Sequence, residues 1–167
     1  MSGVVVVSGN PRVSSRTAVL AGAVGTRAAE LLDAAPPEVV DLADFGHNLL
    51  VPDHPGVNAA LDTVREADLL VVATPTYKGS YTGVLKVFFD RLPADALAGR
   101  PALTVVTSGA PAQSEAADEH LRALLTELGA NPLGPGLTVI ESQLADPAAA
   151  VDAYLDRIRD ALHAPAR

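Results

Sequence analysis

A basic, hydroxyl-rich loop follows the first apolar run of the sequence. Residues 4–7 are four valines, and residues 9–17, GNPRVSSRT, then bring two arginines and three hydroxyl side chains before a helical pattern resumes. Hydroxyl groups donate hydrogen bonds to anionic oxygens, guanidinium groups add charge-assisted bonds, and the start of a helix adds unpaired backbone N–H groups. The loop is therefore suited to a dianionic phosphate. If its hydroxyls only capped the following helix, one of them would be enough.

Two further segments have the composition of a binding loop. Residues 75–82, PTYKGSYT, hold two of the three tyrosines of a chain that is only 4% aromatic. Tyr77 follows the proline by two residues, where its ring could lie against a flat heterocycle. The alternative is that Tyr77 and Tyr81 are ordinary packing residues, and Tyr81 could equally lie in a subunit contact. Residues 107–110, TSGA, offer small side chains and free amides that suit the polar edge of such a heterocycle.

Strands and helices alternate along the chain, and each of the three segments follows a strand. We predict strands at residues 4–8, 38–42, 68–74, 102–108 and 137–140, helices at 15–34, 57–67, 83–92, 115–128 and 147–164, and an irregular surface loop at 43–56. This alternation predicts one α/β domain over residues 1–167, a flavodoxin-like three-layer sandwich whose five-stranded parallel sheet has the order 2-1-3-4-5. Ligands bind such sheets beyond the carboxyl ends of the strands, at the switch between strands one and three. The three segments are expected to meet there.

Charge and composition exclude several other classes of protein. The chain has 167 residues, of which 49% are apolar and 19% charged, with a formal net charge of −8 and no cysteine. The negative charge argues against a nucleic acid or an anionic membrane as partner, and the missing cysteines exclude disulfides, thiolate metal sites and cysteine nucleophiles. Without a basic leader or an apolar run of membrane length, the protein is expected in the cytoplasm. The four histidines lie outside the three segments and lack metal-ligand spacing, so no metal site is expected.

The sequence excludes several classes of phosphate-binding protein. The first loop has neither the Gly-x-x-x-x-Gly-Lys-Ser/Thr pattern of triphosphate-binding loops nor the Gly-x-Gly-x-x-Gly pattern of dinucleotide-binding loops. A low-molecular-weight phosphatase needs a cysteine nucleophile. A receiver domain needs acidic residues after the first strand to hold magnesium, and Asn10, Pro11 and Arg12 stand there instead. On this fold FMN remains, with its phosphate on the first loop and its ring beside Tyr77.

Two motifs resemble those of a known family. Residues 9–17, GNPRVSSRT, and residues 74–86, TPTYKGSYTGVLK, followed by Asp90, resemble the NAD(P)H-dependent FMN reductases. The second motif is most similar to the sulfonate-linked branch, whose reductases supply reduced flavin to a separate monooxygenase. The resemblance implies FMN as cofactor, NADPH or NADH as donor, and hydride transfer to flavin N5 by positioning, without a catalytic acid or base. A flavodoxin-type electron carrier, or a quinone or azo-compound reductase with tightly bound FMN, is the alternative.

The resemblance also assigns residues to the cofactor. It implies that the FMN phosphate is held by Asn10, Arg12, Ser15 and Thr17, with Arg16 as a further donor. It places beside the isoalloxazine ring the residues Pro75, Thr76, Tyr77 and Lys78. The pyrimidine edge of the ring would meet Ser108, Gly109 and Ala110.

The helix predicted at residues 83–92 has more apolar surface than one buried face requires. A stripe of apolar residues at helical spacing accounts for one face, and Val87 and Phe89 extend apolar surface beyond it. The excess predicts a second buried face in a homodimer or homotetramer, an assembly that the resemblance also implies. Lys86 and Asp90 are spaced i, i+4 on this helix, either as a surface ion pair or as a link between subunits.

Overall fold

One parallel sheet contains every strand of residues 3–164, the part of the chain that the computed structural model describes. The strands are β1 Val4–Ser8, β2 Glu38–Asp41, β3 Leu69–Pro75, β4 Pro101–Ser108, β5 Asn131–Pro132 and β6 Leu137–Ile140. The α-helices are α1 Arg16–Leu31, α2 Pro55–Glu66, α3 Gly83–Phe89, α4 Pro111–Glu127, α5 Pro147–Arg157 and α6 Arg159–Leu162. Short 3₁₀ segments are Leu42–Asp44, Gly46–Leu50 and Glu141–Gln143. None of the described helices is both long and apolar enough to cross a bilayer.

The strand order is β2-β1-β3-β4, and both β5 and β6 pair with β4. β5 pairs with the first two residues of β4, and β6 pairs with residues 105–108, so two short strands share the fifth position. The predicted flavodoxin-like order is confirmed, and the expected five strands become six. The sequence pattern does not show β5 because Asn131 and Pro132 both have low strand propensity. These two residues pair with β4 because the end of α4 brings them beside it.

Alternate residues of the central strands pack against helices on opposite faces of the sheet. Val5 and Val7 of β1 lie in a cluster with α2, α3 and α4, whereas Val4 and Val6 lie in a cluster with α1 and α5. β1 and β3 are buried at every position, as expected of strands that are covered on both faces. The helices therefore cover the faces of the sheet, and the loops at its carboxyl edge are what remains to form a site.

Several helices begin or end at other residues than the sequence predicts. α2 begins at Pro55, earlier than expected, because His54 Nδ1 accepts a hydrogen bond from a first-turn N–H and caps the helix. α4 begins at Pro111, since proline at the first helical position needs no hydrogen-bond partner. The predicted last helix divides at Ile158 into α5 and α6. The segment 43–56, expected to be irregular, contains most of two 3₁₀ segments.

Helix α3 has less outward apolar surface than its sequence predicts. Phe88 and Phe89 are both fully buried, and their rings meet edge to face with centroids 5.6 Å apart. The prediction that Phe89 extends an outward apolar face is therefore wrong. The helix packs against the sheet and also against the 3₁₀ segment Gly46–Leu50, so two of its sides are covered within the chain. Val87 is only half-buried, although it packs against the same core cluster.

Candidate functional site

A cavity of about 460 Å³ opens at the carboxyl ends of β1, β3 and β4, where the three segments were expected to meet. This volume is typical of small-molecule sites. Of the twelve residues implied by the resemblance, ten line the cavity: Asn10, Arg12, Ser15, Arg16, Thr17, Pro75, Thr76, Tyr77, Ser108 and Gly109. Lys78 and Ala110 do not line it. The lining also includes Val13, Ser14, Thr107, Glu141 and Leu144. Within residues 3–164 no three His, Asp or Glu side chains are grouped to hold a metal ion.

The first loop is shaped by Asn10, which is 8% exposed. Its Oδ1 accepts a hydrogen bond from Arg12 N at 3.0 Å, and its Nδ2 donates to Thr17 Oγ1 at 3.2 Å. A side-chain oxygen that accepts from the backbone two residues further on forms an Asx turn, which holds the loop in shape. Because an amide nitrogen carries two protons, one N–H of Asn10 is left for a bound group. Most of the hydrogen-bonding capacity of Asn10 thus goes to the loop itself.

The start of α1 brings unused donors to the cavity. Ser15 Oγ caps the helix by accepting from Ala18 N at 3.0 Å, and the first intrahelical bond runs from Val19 N to Ser15 O. The N–H groups of Arg16 and Thr17 precede that bond, so the helix does not use them. The Ser15 hydroxyl proton is also left over by the cap. These donors lie at the positive end of the helix dipole, a position that favours an anion.

Two guanidinium groups add positive charge at this end of the cavity. Arg12 and Arg16 both line it, and both are exposed. Arg12 makes no ion pair with any of residues 3–164, whereas Arg16 Nη2 lies 3.0 Å from Glu141 Oε1. The two arginines therefore differ: Arg12 offers its whole guanidinium to a ligand, and Arg16 shares its own with a carboxylate.

Buried threonines tie the three segments together. Thr17 Oγ1 and Thr107 Oγ1 are 2.9 Å apart, which joins the first segment to the third. Thr82 Oγ1 donates to Gly9 O at 2.5 Å, which joins the second segment to the first. Thr82 N also donates to Thr74 Oγ1 at 3.2 Å. Because each of these threonines is buried, the hydrogen bonds are shielded from water and fix the relative positions of the loops.

Tyr77 is presented by a tight two-residue turn. Tyr77 and Ser80 exchange both backbone hydrogen bonds, at 3.0 and 3.2 Å. Lys78 and Gly79 between them have φ of 52° and 80°, the signature of a type I′ turn. The turn places Tyr77 in the cavity lining with 42% of its surface exposed, while Lys78 is exposed and outside the lining. Ser80 Oγ lies 3.0 Å from Nδ1 of His120 on α4, which anchors the turn from behind.

Thr76 brings a buried hydroxyl to the cavity wall. Its N–H donates to Thr107 O at 2.9 Å, extending the pairing of β3 with β4 by one residue. Its Oγ1 is buried and has no hydrogen-bond partner within residues 3–164. A buried polar atom without a partner is unfavourable by about 1–3 kcal/mol. Because Thr76 lines the cavity, this hydroxyl is a candidate contact of a bound ligand.

The third segment is closed by its own hydroxyl groups. Ser108 Oγ donates to Ala110 O at 2.7 Å and also hydrogen-bonds to Ser114 Oγ. These bonds engage the Ser108 hydroxyl within the protein, so the segment offers backbone groups to a ligand. Gly109 is exposed, and no atom lies within 4 Å of the position a Cβ would take there. The missing side chain leaves room for a flat ring against the backbone.

Sequence reasoning missed the fourth wall of the cavity. Glu141 and Leu144 line it from the connection after β6, and neither was among the expected site residues. The rule that predicts where the three segments meet, that sites lie beyond the carboxyl ends of parallel strands, applies equally to the predicted strand at 137–140. Applied there, it points to Glu141 as the first residue beyond the strand.

Comparison with known proteins shows which family the chain belongs to. The family model described as NADPH-dependent FMN reductase matches residues 3–145. NADH-dependent FMN reductase SfnE of Pseudomonas putida is 35% identical over 161 residues, which cover 93% of this chain and 86% of that protein. FMN reductase (NADPH) of Escherichia coli (strain K12) is 34% identical over 148 residues, covering 86% and 75%. The apo form of NADH:FMN oxidoreductase (EMOB) matches with a TM-score of 0.81 at 33% identity, covering 98% of this chain and 91% of that one. The chain belongs to the NADPH-dependent FMN reductase family.

Proposed function

We propose that this protein binds FMN in the cavity at the carboxyl edge of the sheet and reduces it with NADH or NADPH. The observation that carries the proposal is the convergence of a cationic, donor-rich helix start and an exposed tyrosine on one cavity, in a chain of this family. Relatives named as NADH-dependent and as NADPH-dependent reductases are about equally similar, which supports a reduced nicotinamide as donor without a preference between the two.

The residues present fit the phosphate of FMN. A phosphate monoester carries a charge of about −1.5 to −2 at neutral pH and three acceptor oxygens. Arg12 and Arg16 supply the opposite charge, and the Ser15 hydroxyl and the first amides of α1 supply directed donors. Asn10 and Thr17 hold the loop, and Asn10 retains one N–H for the ligand. Riboflavin lacks the phosphate and would leave this whole donor set unused.

The remaining walls fit the ring. Pro75 and Tyr77 line one side of the cavity, and the Thr76 hydroxyl lacks any other partner among the described residues. Ser108 and Gly109 line the cavity and offer backbone groups for the pyrimidine edge, with free space beside Gly109, whereas Ala110 lies outside the lining. Lys78 lies outside the lining, and its part in the proposal is to form the turn that orients Tyr77.

Positioning is the task of this chain's residues. Bound FMN supplies a hydride acceptor, its N5 atom, for C4 of a reduced nicotinamide. The loops would hold the phosphate and orient the ring, and the open space at the Cβ position of Gly109 leaves room beside the backbone there. No side chain has to move a proton for this step, so holding two rings at reacting distance is the main contribution to the rate.

The proposal includes a cytoplasmic location, where reduced nicotinamides are produced, and delivery of reduced flavin to a partner monooxygenase. Delivery to a monooxygenase is supported by the similarity to SfnE and by the resemblance of residues 74–86 to the sulfonate-linked branch of the family. The test is oxidation of NADH and of NADPH by the purified protein, with FMN, with riboflavin and without flavin. We expect oxidation that depends on FMN. If neither donor is oxidised faster when FMN is added, the proposed function is wrong.

Self-association is part of the same proposal. Val87 on α3 is half-buried, and the 3₁₀ segment Gly46–Leu50 packs against this helix. Leu50 at its end is 74% exposed and the next residue, Val51, is 38% exposed, so both present apolar surface to solvent. Lys86 Nζ and Asp90 Oδ1 pair at 2.5 Å on α3, and this hydrogen bond raises the pKa of Lys86.

Light scattering tests the assembly. The native chain should be a homodimer or homotetramer, and Leu50→Glu should yield a smaller species. Val19→Glu is the matched control, because Val19 is a 65% exposed valine on α1, which packs on the opposite face of the sheet. A monomeric native chain at micromolar concentration would exclude this assembly.

A further inference from the structure

Glu141 is the only carboxylate in the cavity lining of the described chain. It begins the 3₁₀ segment Glu141–Gln143 directly after β6, and Gln143 Oε1 accepts from Ile140 N at 3.2 Å, which closes that turn. Glu141 Oε1 lies 3.0 Å from Nη2 of Arg16, which also lines the cavity. The pair joins the first turn of α1 to a residue 125 positions away in the sequence.

Because of this pair, the Glu141 carboxylate and a bound phosphate would compete for the same guanidinium group. The charged residues of the lining are Arg12, Arg16 and Glu141. A phosphate bound at the start of α1 would lie beside Arg16, the first residue of the helix, and would compete with the Glu141 carboxylate for its guanidinium group. Arg16 can serve the phosphate fully only when it leaves Glu141. Both side chains of the pair are well exposed, at 65% and 62%, so this exchange needs no rearrangement of the core.

We propose that Glu141 competes with the FMN phosphate for Arg16 and thereby weakens the retention of FMN, so that the flavin exchanges readily. The inference rests on the proposed FMN site. Its function would be to make FMN a substrate that leaves after reduction, as delivery of reduced flavin to another protein requires. Arg12, which has no carboxylate partner among the described residues, holds the phosphate in both cases.

The size of the effect follows from the exposure of the pair. An exposed ion pair is only slightly more stable than its separated side chains. Arg16 should therefore be paired with Glu141 in about three-fifths to five-sixths of the molecules and free to bind a ligand in the rest. The apparent dissociation constant rises by the reciprocal of the competent fraction. Removing the charge of Glu141 should therefore tighten FMN binding by about two- to sixfold.

The experiment is a flavin titration of four variants beside the native chain, followed by fluorescence quenching. Glu141→Gln should bind FMN about two- to sixfold more tightly, with unchanged affinity for riboflavin, which has no phosphate. Asp152→Asn is the matched control: it removes one carboxylate from an exposed ion pair to α1, with Arg27 at 2.9 Å, outside the cavity lining. It should bind FMN like the native chain. In Arg16→Gln the gain from adding Glu141→Gln should disappear.

The outcomes separate this inference from the proposed function. Native protein that binds no FMN would overturn both. Native protein that binds FMN, with no tightening in Glu141→Gln or with an equal tightening in Asp152→Asn, would overturn the competition and leave the FMN site standing. The same conclusion would follow if Glu141→Gln tightened FMN binding as much without Arg16 as with it, since the carboxylate would then act on the phosphate directly.

Discussion

Replacement of Thr82 by valine should loosen the first two loops of the site together. Thr82 is 1% exposed, and its hydroxyl donates to Gly9 O at 2.5 Å while accepting from Leu85 N at 3.2 Å. It therefore caps α3 and at the same time holds the first residue of the phosphate loop. Valine has nearly the same shape but can do neither, so a buried carbonyl and a helix N–H would both lose their partner.

The structure sets the magnitude of this change. Loss of an N-terminal cap destabilises a protein by about 1 kcal/mol, and a buried carbonyl without a partner by about 1–3 kcal/mol. Thr82→Val should therefore lower the free energy of unfolding by about 2–4 kcal/mol. Thr82→Ser keeps the hydroxyl and loses one methyl group, for which the expected loss is about 0.8 kcal/mol.

Urea unfolding of the two variants measures the difference directly. The dependence of the unfolding free energy on urea concentration should be the same in both variants, because both expose nearly the same surface on unfolding. FMN affinity should fall in Thr82→Val and recover in Thr82→Ser, since the Gly9 carbonyl belongs to the proposed phosphate loop. If the valine and serine variants unfold at the same urea concentration, the hydroxyl does not hold the loops as we argue.

Three further predictions concern single side chains. Arg12→Ala should weaken FMN binding by about 1.5–3 kcal/mol and leave riboflavin binding unchanged in a parallel titration; an equal loss for both flavins would contradict the phosphate assignment. Tyr77→Ala should alter the absorbance and fluorescence of bound FMN and the rate of nicotinamide oxidation without lowering the thermal midpoint, and unchanged spectra and rate would make Tyr77 a bystander. Burial, with the Asp118 carboxylate nearby, raises the pKa of Tyr154, so the folded state keeps its phenol neutral while the unfolded chain ionises near pH 10. The free energy of unfolding should therefore fall as the pH rises above about 10, and it should fall less steeply in Tyr154→Phe. Urea unfolding at several pH values measures this, and the same dependence on pH in both proteins would refute the prediction.

The fold could be predicted because its main signals are local. The four-valine run of β1 and the run at residues 69–73 are long and apolar enough to be recognised as strands buried on both faces. Their alternation with helices indicates a doubly wound parallel sheet, for which five strands suit the order 2-1-3-4-5, and this order determines which loops meet. The meeting of the three segments therefore follows from connectivity, and ten of the twelve residues that the family resemblance implies lie in the cavity lining.

What could not be predicted depends on contacts between distant residues. Phe89 has the same apolar character whether a second subunit or its own chain covers it, and only the folded chain shows that it is buried within its own core. β5 has no pattern of its own. Glu141 is an ordinary surface glutamate in the sequence, and its position opposite Arg16 appears only when β6 takes its place beside β4.

The same distinction changes how the site should recognise its ligand. A sequence pattern counts Asn10, Thr17 and Ser108 as donors for a cofactor, but in the folded chain most of their polar atoms bond to one another or to the backbone. These side chains set the shape of the loops. The groups left for FMN are backbone amides, one N–H of Asn10, the hydroxyls of Ser15 and Thr76, and two guanidinium groups. Affinity should then depend on loop geometry and on the charge balance at the start of α1. Substitutions that keep the internal hydrogen bonds should be tolerated, whereas changes to either arginine should act directly on the phosphate and changes to Glu141 should act through Arg16.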